Sequence, residues 1–201
     1  MIIDSLESLR SLYAPAGERS VRKQLARLEK HALRFIGLSP FVVLASRGAD
    51  GSLDASPRGG VPGFVQVLDE TTLLIPDSPG NNRLDTLENV IATGRLGLLF
   101  LVPGVDETLR INGTALLNTE PALLDRCSDA RRRPTLVIRV KVQEAYLHCA
   151  KAFMRSKLWD PASLVDRATL PSMGEMMKDQ IGLTTPAETQ AEMLVRYAAD
   201  L

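Results

Sequence analysis

The segment PGNNRLDTL, residues 79–87, follows directly on the apolar run TLLIP and opens a helical pattern. It brings free backbone N–H groups, the amides of Asn81 and Asn82 and the guanidinium of Arg83 to one point. That is the composition of an anion site: a helix N-terminus offers unsatisfied donors and the positive end of the macrodipole, and an arginine adds charge-assisted hydrogen bonds. The same residues also describe an ordinary helix start in which Asp85 satisfies the donors. On chemistry alone both readings stand. A second cation lies in DASPRGG, residues 54–60, where Ser56 and Arg58 share a strand face if the strand continues through Pro57. Ser56, Arg58 and Arg83 can then converge on one phosphate. The plainer alternative makes Arg58 a solvated edge residue and Ser56 a turn hydroxyl.

Other chemistries find little support. The chain has no G-x-G-x-x-G after a strand, no G-x-x-x-x-G-K-[ST], no H-E-x-x-H and no G-x-S-x-G. It has two histidines, His31 in a helical stretch and His148 at a strand end, too few for a His-based metal cluster. His148 and Cys149 are adjacent on a strand and so point to opposite faces. Cys127 and Cys149 show no paired spacing and read as free thiols in a reducing cytoplasm. Arg131, Arg132 and Arg133, without an aromatic partner, read as a solvated loop. Met173, Met176 and Met177 read as adaptable packing. Lys plus Arg equal Asp plus Glu at 24 each, so no overall field favours nucleic acid or an anionic membrane. The N-terminus MIIDSLESLRSLY lacks a basic leader, and no apolar run approaches the roughly 20 residues of a membrane span.

The elements that position these residues follow from periodicity. Val21, Leu25, Leu28, Ala32, Phe35 and Ile36 recur at three- and four-residue steps and predict one amphipathic helix over 18–37. Strands are predicted over 41–48 and 53–56, joined by the turn Ala49-Asp50-Gly51, with Pro57 placing the second at an edge or a break. FVQVL (64–68) and TLLIP (72–76) read as another hairpin. A helix is expected from Asn82 to Thr93, capped by Asn81 or Asn82 and stopped by Gly94. Strands follow over 96–103 and 107–117, then a short helix from Pro121 to Ser128 and a long strand over 135–148. In that strand Leu136, Ile138, Val140 and Val142 form the apolar face and Val137, Arg139, Lys141 and Gln143 the other. Pieces of helix fill the tail. The expectation is a single domain over 1–201, comprising the helix of 18–37, a barrel core over 41–148 and a helical extension over 149–201.

The ordered succession SPRGG, PDSPGNNRLDTLENV, RLGLLFLVPG, ETLRINGTALL and HCAKAFMRSKLWDP resembles the pyridoxamine 5′-phosphate oxidase-like FMN-binding split-barrel family, from approximately Phe35 to Pro161. The resemblance implies a mostly β fold, a six-stranded antiparallel split β-barrel with flanking helices. It implies a homodimer with FMN between the subunits; the cytoplasmic expectation comes from the unpaired cysteines and the lack of a leader or span. It puts Ser56, Pro57, Arg58, Asn82 and Arg83 around the phosphate and ribityl groups, Ile75 and Pro76 against the ring, and Trp159 either over the flavin of the opposite subunit or packed in a dimer core. The arginine-rich C-terminal segment by which pyridoxamine phosphate oxidases hold their substrate has no counterpart here. The expected function is therefore an FMN-dependent oxidoreductase acting on an unidentified small molecule, with no catalytic residue and no metal assigned. The alternative is a non-enzymatic flavin-binding, storage or sensing protein; haem or a deazaflavin in the same barrel is less favoured.

Overall fold

Period-two alternation sets most of the strands, and the residues that break it show where a second layer covers the sheet. A computed structural model of the protein describes residues 2–198. These fall into two compact units, the first ending at Ser156 and the second beginning at Lys157.

The first unit is one antiparallel sheet that curls into a split barrel. Its strands are β1 (Phe41–Arg47), β2 (Leu53–Gly59), β3 (Gln66–Asp69), β4 (Thr72–Pro76), β5 (Arg95–Leu101), β6 (Thr108–Asn118) and β7 (Val137–His148), in the order β2-β1-β5-β6-β7-β4-β3. There are seven strands where the resemblance implies six; the additional short β3 pairs with the otherwise open edge of β4. Pro57 lies on β2, a sheet edge, where its missing N–H costs no ladder bond. Val42 and Leu44 of β1 point into the main core with Leu98 and Phe100 of β5 and Leu109 and Ile111 of β6. β4 is buried from Thr72 to Ile75 because both its faces are covered. Leu73 and Ile75 face the main core, while Leu74 packs with Val137 and with Leu124 of the short helix Pro121–Arg126. That second layer also buries Val137, which the alternation had put on the polar face.

The predicted helix over 18–37 is not one helix. The chain forms α1 (Leu6–Ser11), α2 (Glu18–Arg22) and α3 (Lys30–Leu38), and residues between α2 and α3 run extended along the sheet. Beyond Lys141, β7 has no β4 beside it. Leu25 takes that place, with Ala145 N–H donating to Leu25 O (2.7 Å) and Leu25 N–H donating to Ala145 O (3.1 Å). Two ladder bonds and the burial of Leu28 outweigh the weak propensity of an isolated turn of helix. Glu29 then starts α3 as its N-cap, accepting from the N–H groups of His31 and Ala32.

The remaining helices of this unit are α4 (Asp85–Thr93), α5 (Pro121–Arg126) and α6 (Lys151–Ser156). Gly94 ends α4 in the left-handed conformation, as its position predicts. In the second unit two 3-10 turns, Pro161–Ser163 and Arg167–Thr169, precede α7 (Met173–Ile181) and α8 (Gln190–Ala198). Ser172 and Glu175 form a capping box on α7, and Arg196 makes two bonds to Glu188 (2.8 and 2.7 Å). No described residue of this unit is buried, and Met173 and Met177 are largely exposed. Among the described residues, no helix is long and apolar enough to cross a membrane.

Candidate functional site

Antiparallel pairing of β4 with β7 sets Pro76 opposite Val137, so the chain leaving β4 and the chain entering β7 lie side by side. Between them and the end of β2 opens a groove of about 750 Å³, lined by Pro57, Arg58, Phe64 and Pro76, the turn 77–84, Leu87 and residues 132–136. Its size is that of a cofactor or drug-sized ligand site, roughly 300–1,000 Å³. Three of its guanidinium groups, those of Arg58, Arg83 and Arg132, come from three separate segments.

Arg58 follows Asp54 and Ser56 on one face of β2, as the spacing predicts. Its Nη1 donates to Pro57 O (2.9 Å). Beneath it lies a polar network that fixes α4 to the sheet. Asp54 accepts from Ser56 Oγ (2.7 Å), from Ser46 Oγ (3.2 Å) and from Thr86 Oγ1, while Asn89 Nδ2 donates to Ser46 Oγ (3.0 Å). Ser56 therefore spends its hydroxyl proton on Asp54, and it is Arg58 that reaches the groove. Burial alone would raise the Asp54 pKa, but the bonds from Thr86, Ser56 and Ser46, with the charge of Arg58, hold it below the usual value. A carboxyl depressed in the folded state stabilises above its unfolded pKa, and that contribution is lost as pH falls through the folded pKa. Asp54→Ala is expected to cost about 1.5–3 kcal/mol at neutral pH, by stranding the buried donors of Thr86 and Ser46, and to flatten the acid limb of stability. Denaturant unfolding at neutral and acid pH measures both.

The turn after β4 differs from the expected helix start. α4 begins at Asp85, not Asn82, and its N-cap is Leu84, which makes no side-chain capping bond. Asn82 takes φ 58°, a left-handed conformation that asparagine tolerates better than most residues. Asn81 does not cap the helix; its Oδ1 accepts from Arg83 N–H (3.0 Å), closing a local turn. Arg83 Nε is paired with Asp85 Oδ2 (2.9 Å), and the arginine side chain is 75% exposed.

Pro57, Arg58, Pro76, Asn82 and Arg83 thus line one groove. Ser56 lies one layer below, and Ile75 is fully buried in the main core, turned away from the groove that its neighbour Pro76 lines. Trp159 is a half-buried residue of the second unit, just before Pro161–Ser163. Two groove residues were not anticipated. Arg132, read from sequence as part of a solvated loop, donates to Ser78 Oγ (3.3 Å). Asp77 is half-buried, and burial raises its pKa against the lowering influence of Arg58, Ser78 N–H and Arg132. Arg133 also lines the groove but is tied to α5 through Asp125 (2.6 Å). In sequence Asp77 simply follows β4 and Arg132 lies in the loop before β7, and only the β4–β7 pairing brings those segments together.

Fold and groove define a class: a mostly antiparallel split barrel with an arginine-lined cleft at the ends of its strands. The family model of pyridoxamine 5′-phosphate oxidase matches residues 28–149, more than half of the chain, and the chain belongs to that family. Among solved structures it is similar to HupZ of Group A Streptococcus, at 17% identity and TM-score 0.50, over 60% of this chain and 93% of that one. It also matches general stress protein 26 of Bacillus anthracis (11%, 0.45, 57% and 88%). An FMN-binding protein from Syntrophomonas wolfei matches at 11% identity and TM-score 0.44, over 72% and 97%. No curated protein sequence matches it.

Proposed function

We propose that this protein is a flavoprotein that holds FMN in the arginine-lined groove and works as an oxidoreductase on a small molecule. The observation that carries the reading is the convergence of Arg58, Arg83 and Arg132 on one cleft of cofactor size in a chain of this family. A phosphate suits that donor set. Arginine presents a planar fork to tetrahedral oxyanions, and three forks from separate segments hold one end of a ligand against rotation. Pro57, Phe64 and Pro76 give the cleft apolar surface for an aromatic ring. Bound there, the flavin would supply the hydride chemistry; the chain supplies binding, orientation and a cleft wall.

The proposal extends to a cytoplasmic homodimer with FMN at the subunit interface and Trp159 over the flavin of the opposite subunit. Exposed Val61 and Leu84, near the groove, favour burial by a second copy, and two free cysteines suit a reducing compartment. Haem is not favoured, since no histidine lines the groove among the described residues.

The test is the absorbance spectrum of the purified protein, followed by titration with FMN and with riboflavin. The expected result is a flavin spectrum, or micromolar FMN binding with riboflavin much weaker. Absence of both would sink the flavin reading. Bound flavin that neither NADH, NADPH nor a panel of small reductants can reduce would move the protein to the storage or sensing class.

A further inference from the structure

We propose that Asp77 makes anion binding in the groove proton-linked, so that a dianion enters together with a proton on the Asp77 carboxyl. This rests on the flavin reading only in naming FMN as the natural dianion. The geometry comes first. Asp77 leaves β4 with its main chain held on the β4–β7 ladder, Asp77 N–H donating to Leu136 O (3.0 Å), so its position is fixed by the sheet. Asp77 lines both the 750 Å³ groove and a side pocket of about 250 Å³. Arg58 approaches from β2 and Arg132 from the segment before β7, and both act on its charge. An ionised Asp77 therefore offsets part of the positive charge that an incoming phosphate or sulfate group needs, and repels the anion directly. A protonated Asp77 removes that repulsion and adds a hydroxyl donor.

The charged and titratable neighbours leave Asp77 as the group that switches. From the turn 77–84 and the segment 129–133 the cavities meet Arg83, Arg132, Arg133 and Asp129. Backbone N–H groups of Arg132 and Arg131 hold Asp129 below the usual carboxylate range, so it stays charged. From α5 and the residue after it come Arg126 and Cys127, whose thiol burial pushes up, so it stays neutral. Burial raises the Asp77 pKa, against the charge of Arg58, the Ser78 N–H and the charge of Arg132, so it takes up a proton more readily than an ordinary aspartate. The sign is fixed: the anion favours the protonated form, so affinity is highest at low pH and falls as pH rises through the Asp77 pKa.

Sulfate is the clean probe because it is a dianion throughout the mildly acid to mildly alkaline range, whereas the FMN phosphate has its own ionisation near pH ~6. Titration calorimetry of the full chain with sulfate, FMN and riboflavin, in two buffers of different ionisation enthalpy at each pH, reads affinity and proton uptake together. The expected result is a sulfate affinity that falls by up to about tenfold per pH unit above the Asp77 pKa, with uptake of up to about one proton per anion. Asp77→Asn should bind sulfate independently of pH and more tightly than the unmodified protein in alkaline buffer. Sulfate binding without pH dependence or proton uptake overturns the proposal, as does an unchanged pH slope in Asp77→Asn or no sulfate binding at all. If Asp77→Asn fails to fold, proton uptake by the unmodified protein decides alone. FMN binding without proton linkage would leave the flavin reading standing and remove Asp77; linked sulfate binding with no FMN binding would do the reverse.

Discussion

Arg58→Ala is expected to weaken FMN binding by about 1.5–3 kcal/mol, roughly 10- to 150-fold in Kd, the cost of losing a charge-assisted hydrogen bond from a positioned donor. Arg58 is half-buried, it stands on a strand paired residue by residue with β1, and the Asp54 network beneath it fixes the face from which it projects. Little ordering remains to be done when a phosphate arrives. Arg83→Ala should cost less, because Arg83 is largely exposed and already paired with Asp85. A phosphate must displace that carboxylate, and an exposed pair contributes little to begin with. Asp85→Asn should accordingly tighten FMN binding in the same assay, quenching of flavin fluorescence at fixed ionic strength. Should Arg83→Ala prove the more damaging, the phosphate lies at the turn of Asn81 and Asn82 and not beneath β2.

Much of this site is legible in the sequence because its pieces are local. The two-residue spacing of Ser56 and Arg58 places them on one face, and the run from Pro79 to Leu87 announces a strand end followed by a helix. What was not legible depends on pairing between distant segments. Arg132 stands 49 positions after Arg83 in the chain, and nothing near it marks it as more than one of three arginines in a loop. It reaches the groove because β7 runs antiparallel to β4 and starts where β4 ends. Asp77 is hidden for the same reason: in sequence it is only a carboxylate after a strand, and the fold brings it into one cleft with Arg58 and Arg132. The error over 18–37 has another cause. Leu25 and Leu28 fit a helical stripe, but they fit an extended strap equally well, and the open edge of β7 decides between them. A hydrophobic period records which residues are buried, and the choice of backbone is left to the neighbours.

The strongest effect on stability is expected at Gly113, where the β6–β7 register shifts. Asn112 faces Glu144 and Gly113 faces Val142, so β7 carries one extra residue, Gln143, across from a single step of β6. The bulge reverses which residues of β7 point inward: Ile138, Val140 and Val142 do so before it, Ala145 after it. Without it the segment that pairs with Leu25 would present the wrong face to the core. The bulge also draws the two chains close. A Cβ on Gly113 would sit 2.1 Å from Lys141 O and 3.0 Å from Lys141 C, and these are backbone atoms that cannot turn aside. Gly113→Ala is therefore expected to destabilise by about 3 kcal/mol or more, the upper end of overpacking effects, and to lower Tm by roughly 6–12 °C for a chain of this size. Gly37→Ala is the control, since a Cβ there meets nothing within 4 Å and alanine is the better helix former, so stability should hold or rise. In the folded fraction Gly113→Ala should bind FMN normally, because Arg58, Arg83 and Arg132 reach the groove from the other end of β7, where Val137 pairs with Asn118. A Gly113→Ala protein as stable as the original would mean that β6 and β7 can separate at this step without cost, and that the register is held elsewhere.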